Sequence, residues 1–267
     1  MGILNITPDS FSADGYYRQV DAAVQQGLTM QWEGADILDI GGETTKPGSL
    51  PVSVEEELAR VIPVIEGLRK KTELPLSIDT SKALVAQQAI AAGANFINDI
   101  SGLSFDPEMA TVAAETGAGL FLMHTRGRPE VMQRDTEYQD LLAEVITSLQ
   151  ESLDLALVAG VEPGFLAVDP GIGFGKSTLG NLALLHHADE FHQLNCPILL
   201  GTSRKSFLGA VLDQKDPLER LSGTLATIAA GVSRGVQIFR VHDVRPARDA
   251  ALVAWAIREQ KLPGVFC

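Results

Sequence analysis

The feature that most constrains the fold is a regular alternation: eight short apolar runs, each with polar or charged residues in or just after its end and most followed by a stretch of helical period. The runs are "GILN" (2–5), "DILDIG" (36–41), "LSIDT" (76–80), "FINDI" (96–100), "LFLMH" (120–124), "FLAVD" (165–169), "PILLG" (197–201) and "IFRVHD" (238–243). Segments such as "SVEEELARVIPVIEGLRK" (53–70) and "DLLAEVITSLQESLDLALVAG" (140–160) between them have amphipathic spacing. The second closes on Gly160, where a helix C-cap favours glycine. Strand–helix alternation builds a parallel sheet, because each helix carries the chain back to the starting end of the sheet. Eight units in 267 residues fit a single (β/α)8 TIM barrel and exceed the five or six strands usual in a doubly wound sheet. The chain therefore reads as one α/β domain over 1–267, with its chemistry at the C-terminal ends of the strands.

Those ends carry Asn5, Gly41-Gly42-Glu43, Asp79, Asn98-Asp99, His124, Asp169, Ser203-Arg204-Lys205, and Arg240 with His242. Small polar residues make turns, so any one of them has a plain structural explanation. Lys205, Arg240 and His242 serve no turn, and a closed barrel brings them to one mouth. Other polar residues read more blandly. His124 also reads as support for Met123, and His186, His187 and His192 as surface or packing residues. Glu43 reads as ordering its own loop, and Lys176 as either a site residue or a solvated charge. Arg126 and Arg128 lie in the Gly/Pro-punctuated "TRGRPEVMQ" and read as solvated.

"DPGIGFGKST" (169–178) imitates a nucleotide-binding loop, yet the first glycine of that pattern falls on Pro170, and Asp169 would face the anion with a carboxylate. The dinucleotide pattern fails too, since Gly171, Gly173 and Gly175 lack its second gap. What remains is a strand-end carboxylate that can accept paired N–H bonds from a heterocycle edge, followed by glycines and by Phe174 for stacking. Asp79 and Asn98 at neighbouring strand ends can serve the same heterocycle.

Composition narrows the partners. A formal net charge of −13 argues against nucleic acid, whose non-specific binding rests on clustered Lys and Arg. No run approaches the roughly 20 apolar residues a bilayer crossing needs, and no basic-then-apolar leader precedes the first strand. Cys196 and Cys267 are too few for a disulfide framework or a cysteine metal cluster, a usage that fits a reducing cytoplasm.

"MGILNITPDSFSADG" (1–15), "DIGGETTKPG" (39–48), "SIDTSK" (77–82), "INDISGL" (97–103), "LMH" (122–124), "DPGIGFGK" (169–176), "SRKSFLG" (203–209), "ERLSGTLA" (219–226) and "RVHDV" (240–244) run in order along the chain. Together they resemble the dihydropteroate synthase family of pterin-binding TIM barrels. The resemblance implies an enzyme of folate synthesis that joins 6-hydroxymethyl-7,8-dihydropterin pyrophosphate to p-aminobenzoate and releases pyrophosphate. It implies a pterin pocket of Asp79, Asn98, Met123, Asp169, Lys205 and Arg240, with Lys205, Asp169 and Arg240 as the catalytic set. Pyrophosphate falls to Asn5, Thr45, Arg240 and His242, and Mg²⁺ to Asn5 and Asp14. The p-aminobenzoate site falls to Phe11, Thr45, Pro47, Phe174 and Ser203. The loops 7–19 and 43–52 are expected to cover both substrates. Sulfonamides are expected competitors, and a homodimer through the last helix, "PARDAALVAWAIRE" (246–259), is the expected assembly.

The chain departs from the family pattern in places. Thr44-Thr45-Lys46-Pro47-Gly48 stands where most members carry Ser-Thr-Arg-Pro-Gly, replacing a bidentate fork by a point charge. Weaker anion binding is the expectation. Ala13 and Tyr16-Tyr17 alter the first loop around Asp14, and the sequence opens directly in the first strand, where the family usually has a short hairpin under the barrel floor. The competing reading is a tetrahydrofolate-binding module of a methyltransferase system, which shares the pterin-facing Asp and Asn. It has no use for "TPDSFS", "SRKS" or "RVHDV".

Overall fold

The computed structural model describes residues 1–6 and 16–263, and in it eight parallel strands form a ring. β1 (Gly2–Asn5), β2 (Leu38–Gly41), β3 (Leu76–Asp79), β4 (Phe96–Asp99), β5 (Gly119–Met123) and β6 (Leu166–Asp169) pair in sequence order, and β7 (Leu199–Leu200) pairs with β8 (Ile238–Phe239). Single bridges join the two sheets at both seams, Val168 with Ile198 and Gly2 with Val241. Across the second seam, Ile3 N–H donates to the Val241 carbonyl at 2.9 Å and Val241 N–H to the Met1 carbonyl at 3.0 Å. The sequence runs thus predict every strand. β7 is shorter than its run, in part because Pro197 has no N–H to give a ladder.

Around the ring lie α1 (Tyr16–Trp32), α2 (Val54–Arg69), α3 (Ala83–Ala91), α4 (Met109–Thr116), α5 (Leu141–Ala159), α6 (Thr178–His186), α7 (Ser206–Leu212), α8 (Leu221–Ser233) and α9 (Val244–Glu259). Local chemistry sets their ends. Ser53 caps α2 by accepting from Glu56 N–H at 3.2 Å, and Glu55, Glu56 and Glu57 sit at the positive end of the helix dipole. Asp140 caps α5 through Ala143 N–H at 3.1 Å, and Gly160 ends it at φ +103°. No helix among the described residues is long and apolar enough to cross a membrane.

Period-two alternation divides each strand between two environments. Leu38, Ile40, Leu76, Ile78, Leu120, Leu122, Leu166 and Val168 join the main core, which includes Val61, Val64 and Ile65 of α2. Each such burial is worth about 1.5–3 kcal/mol. The alternate residues face the barrel axis. Phe121, Ala167 and Leu199 cluster there with Ile37, Phe96 and Ile238, and the Phe96 and Phe121 rings lie 5.3 Å apart. This apolar layer fills the interior, so the next axial positions towards the C-terminal ends carry the polar groups. In register, Asn5 pairs with Gly41, Gly41 with Asp79 and Asp79 with Asn98, while Met123 pairs with Asp169.

Candidate active site

Arg240, just past β8, reaches across the barrel to β2 and β3. Its Nε donates to Asp39 Oδ2 at 2.5 Å and its Nη2 to Asp79 Oδ2 at 2.6 Å. Asn98 Nδ2 donates to the same Asp39 oxygen at 3.0 Å. Burial raises the Asp79 pKa to about 7; Arg240 opposes the rise and the Asp39 charge adds to it. Burial works against the Arg240 charge, but Asp39 and Asp79 outweigh it and keep the guanidinium protonated. Two carboxylates around one guanidinium leave the group short of positive charge, which suits a site that binds a cationic or N–H-rich ring.

Asp169 ends β6 and is 5% exposed. Its Oδ1 accepts from Gly171 N–H at 2.7 Å, and burial raises its pKa while Lys205 opposes the rise. The Lys205 ammonium donates to the Ile172 carbonyl and lies 4.4 Å from the centre of the Phe174 ring. Burial brings this ammonium down to about 8. Gly173 permits the approach: at φ +86°, a Cβ there would sit 3.0 Å from Lys205 Cδ. Phe174 packs with Ile100, Met123 and Met132, so ring and thioether line the wall beside Asp169.

Ser203 is buried, and its hydroxyl lies 3.0 Å from His242 Nδ1 and accepts from His242 N–H at 3.2 Å. Burial, then the Arg204 and Arg240 charges, lower the His242 pKa to about 4. Between Ser203 and Lys205, Arg204 adopts φ +59° and forks onto Asp243, Nε to Oδ2 at 2.9 Å and Nη2 to Oδ1 at 2.5 Å. Ser206, the first residue of α7, is the exposed hydroxyl of this turn.

The loop after β2 is tied at both ends. Glu43 Oε2 accepts from Val52 N–H at 3.0 Å and from Lys82 Nζ at 2.5 Å, and Lys82 also donates to buried Glu57 at 2.5 Å. Gly48 N–H donates to the Pro129 carbonyl at 2.9 Å, joining this loop to the one after β5. Thr45 is half-buried between these ties, whereas Lys46 and Pro47 are exposed.

The model of the pterin binding enzyme family matches residues 1–242. A dihydropteroate synthase of Synechocystis sp. is 48% identical over 257 residues, covering 96% of this chain and 89% of that protein. The chain belongs to the dihydropteroate synthase family of pterin-binding enzymes. Among solved structures, Xanthomonas albilineans dihydropteroate synthase with 4-aminobenzoic acid superposes with a TM-score of 0.91 at 44% identity, covering 98% of this chain and 93% of that one. The Yersinia pestis enzyme in complex with a sulfonamide drug does so with a TM-score of 0.91 at 42% identity, covering 97% and 93%.

Within this family frame, the strand-end residues Asn5, Asp79, Asn98, Met123, Asp169, Ser203, Lys205, Arg240 and His242 gather at the C-terminal end of the barrel, with Phe174 on the adjoining turn and Thr45 on the loop after β2. Phe11 and Asp14 lie outside the described residues. Gly41 leaves space between the strand ends: a Cβ there would lie 3.5 Å from Asp79 Oδ2 and 3.7 Å from Asn5 Oδ1. A hard cation that takes most of its ligands from substrate phosphate and water needs only such an amide oxygen from the protein, so Asn5 fits the role. Strand-end reading missed Asp39, which holds Arg240 and Asn98, Asp243, which holds Arg204 between Ser203 and Lys205, and Lys82 and Glu57, which brace Glu43 beside Thr45 and Asp79. The lone Asp between Leu38 and Ile40 was the available signal. Arg128 is exposed, as read, and Arg126 partly so, and the two also lie over the Phe105 and Tyr138 rings, at 4.4 and 4.1 Å from their centres.

Proposed function

We propose that this mouth carries out the synthase reaction through the residues named above. The observation that carries the reading is the placement of heterocycle-binding groups, Asp169, Asn98 and Asp79, beside the cations Lys205 and Arg240 at one end of the barrel. Asp169 and Asn98 fix the pterin edge. The Phe174 and Met123 wall packs the ring, and Lys205 donates to it. Arg240 and His242, with Asn5 and Thr45, hold the diphosphate.

Rupture of the C–O bond sends its electron pair out with pyrophosphate and leaves a cation at the pterin methylene, delocalised onto the ring nitrogens. The p-aminobenzoate nitrogen then forms the C–N bond and releases its proton. Buried carboxylates at the strand ends favour such a cation, and fixed basic groups favour the departing anion. Mg²⁺, held through Asn5 and Asp14, supplies Lewis-acid neutralisation of the leaving group when bound. Phe11, Thr45, Pro47, Phe174 and Ser203 receive p-aminobenzoate, where a sulfonamide competes.

The test is pyrophosphate release by the purified chain given the pterin pyrophosphate and Mg²⁺, with and without p-aminobenzoate. Release that depends on p-aminobenzoate and yields dihydropteroate is expected. Pterin binding without release overturns the reading in favour of a binding module. We further propose cytoplasmic action as a homodimer through α9, where Val253 and Ile257 are 62% and 73% exposed; sedimentation as a monomer at micromolar concentration overturns the pairing.

A further inference from the structure

The lysine that makes "DPGIGFGKST" look like a phosphate loop has no part in the chemistry above. Lys176 is only 3% exposed. Its Nζ lies 2.9 Å from His124 Nδ1 and donates to the Phe174 carbonyl at 2.9 Å and the His124 carbonyl at 3.4 Å. These partners are one ring nitrogen and two carbonyl oxygens. Burial, then the charges of Lys176 and Arg126, hold the His124 pKa down to about 3, so its ring is neutral and Nδ1 accepts. The proton then resides on Nε2. Burial also brings Lys176 down to about 7, with Asp169 opposing and Lys205 and Arg126 adding to the fall. A buried ammonium costs stability, and it suits a place where several acceptors must be satisfied from one point.

Those acceptors belong to the wall of the pterin pocket. His124 follows Met123 at the end of β5, and its N–H donates to the Asp169 carbonyl at 2.9 Å. The turn after β6 is pressed against it, since a Cβ on Gly171 would lie 1.9 Å from the His124 carbonyl oxygen and 3.3 Å from Lys176 Nζ. The outer side of the turn is held as well. Gln133 donates to the Gly173 carbonyl at 2.6 Å, Tyr138 to the Gly175 carbonyl at 2.9 Å, and Gly173 N–H donates to Asn181 Oδ1 at 2.6 Å. Lys176 supplies the inner tie. The carbonyl it grips belongs to Phe174, whose ring lies under the Lys205 ammonium, and Lys205 itself donates to Ile172 on the same turn.

We propose that the buried Lys176–His124 pair is a positioning device: the Lys176 Nζ fastens the turn of residues 169–176 to the end of β5, so that Asp169, Phe174 and Lys205 meet the pterin in a single arrangement. The inference rests on the reading that this mouth takes the pterin.

Lys176→Met keeps the length of the side chain and removes its donors. With 6-hydroxymethylpterin as the probe, titration calorimetry on the full chain is expected to show at least a tenfold loss of affinity. The KM for the pterin pyrophosphate should rise in step. A purely architectural lysine would lower the unfolding temperature and leave the affinity of the folded protein unchanged, and that result overturns the proposal. If Lys176→Met does not fold, His124→Phe keeps an aromatic ring and removes the Nδ1 acceptor; at least a threefold loss of pterin affinity supports the pair, and unchanged affinity overturns it. Wild-type protein is the control. If wild type binds no pterin, the functional reading falls and this inference with it; if wild type binds and turns over while a folded variant keeps full affinity, only the positioning role falls.

Discussion

Asp39 and Arg240 are locked together across the barrel, Oδ2 to Nε at 2.5 Å, with Asp39 wholly buried. The same oxygen accepts from Asn98, so one carboxylate orients two residues of the mouth. Removing one partner of a buried ion pair costs about 3–5 kcal/mol, because the other charge is stranded. Asp39→Asn keeps the shape and removes the charge. A fall in kcat/KM of about 100-fold, about 2.7 kcal/mol, is expected with the circular dichroism spectrum retained. A variant within threefold of wild type would show that Asp79 alone orients Arg240.

The fold is legible in the sequence because period-two alternation and strand-end polarity are local properties. Asp79, Asn98 and Asp169 are legible for the same reason, each being the last axial residue of its strand. Lys176 is not, since its burial depends on His124, 52 residues away in sequence and on another strand. Arg204 illustrates the same limit. It stands among the polar strand-end residues between Ser203 and Lys205, and its guanidinium is engaged by Asp243, 39 residues on, which no local pattern shows. Linear spacing shows which residues reach an end of the barrel, and only the closed ring shows which of them are consumed by each other.

That engagement has a backbone consequence. Arg204 at φ +59° is strained by about 1–2 kcal/mol relative to ordinary backbone, and Asp243, Thr224 and Arg220 hold it there. Arg204→Gly relieves the strain while Arg204→Ala does not, although both remove the fork. In urea titrations the glycine variant is expected to keep the higher midpoint. Equal midpoints would show that no strain is stored. Both variants should lose about tenfold in kcat/KM, about 1.4 kcal/mol, since Ser203 and Lys205 flank the residue.

Lys82 bridges two carboxylates, and Glu57, the deeper one, has a side chain only 1% exposed. Burial raises the Glu57 pKa, with Lys82 opposing the rise. Lys82→Met strands Glu57 and is expected to cost about 3–5 kcal/mol near neutral pH. The raised folded pKa means that the native state binds more protons than the unfolded chain, so the variant should recover stability as pH falls towards the unfolded value. Glu43→Gln keeps the Val52 tie and should lose less. Thermal unfolding at two pH values checks both, and an acid-insensitive Lys82→Met would refute the stranded carboxylate.

His242 offers a test by proton linkage. Its folded pKa is lowered from 6.5 to about 4, so between those values the unfolded chain holds a proton that the native state lacks. Its contribution to stability is therefore fully present above 6.5 and is lost as pH falls through this window. Bound pyrophosphate brings negative charge to the ring and should raise its pKa, so binding near pH 5.5 is expected to take up close to one proton. Calorimetry in buffers of different ionisation enthalpy measures the uptake, and His242→Gln should abolish it. Binding that takes up no proton would remove His242 from the diphosphate grip.

Gly171 is the point where the turn and β5 meet most closely. At φ +70°, and with a Cβ placed 1.9 Å from a backbone oxygen, it cannot be replaced by alanine unless the turn lifts off His124. Lifting would break the bond from Gly171 N–H to Asp169 and slacken the Lys176 tie. Gly171→Ala should therefore cost at least about 3 kcal/mol and most pterin affinity. Gly164 is the control, since no atom lies within 4 Å of a Cβ there, and Gly164→Ala should change stability by no more than about 0.5 kcal/mol. If both alanines are equally tolerated, the turn is not clamped on β5, and Asp169 must be aimed by the strand alone.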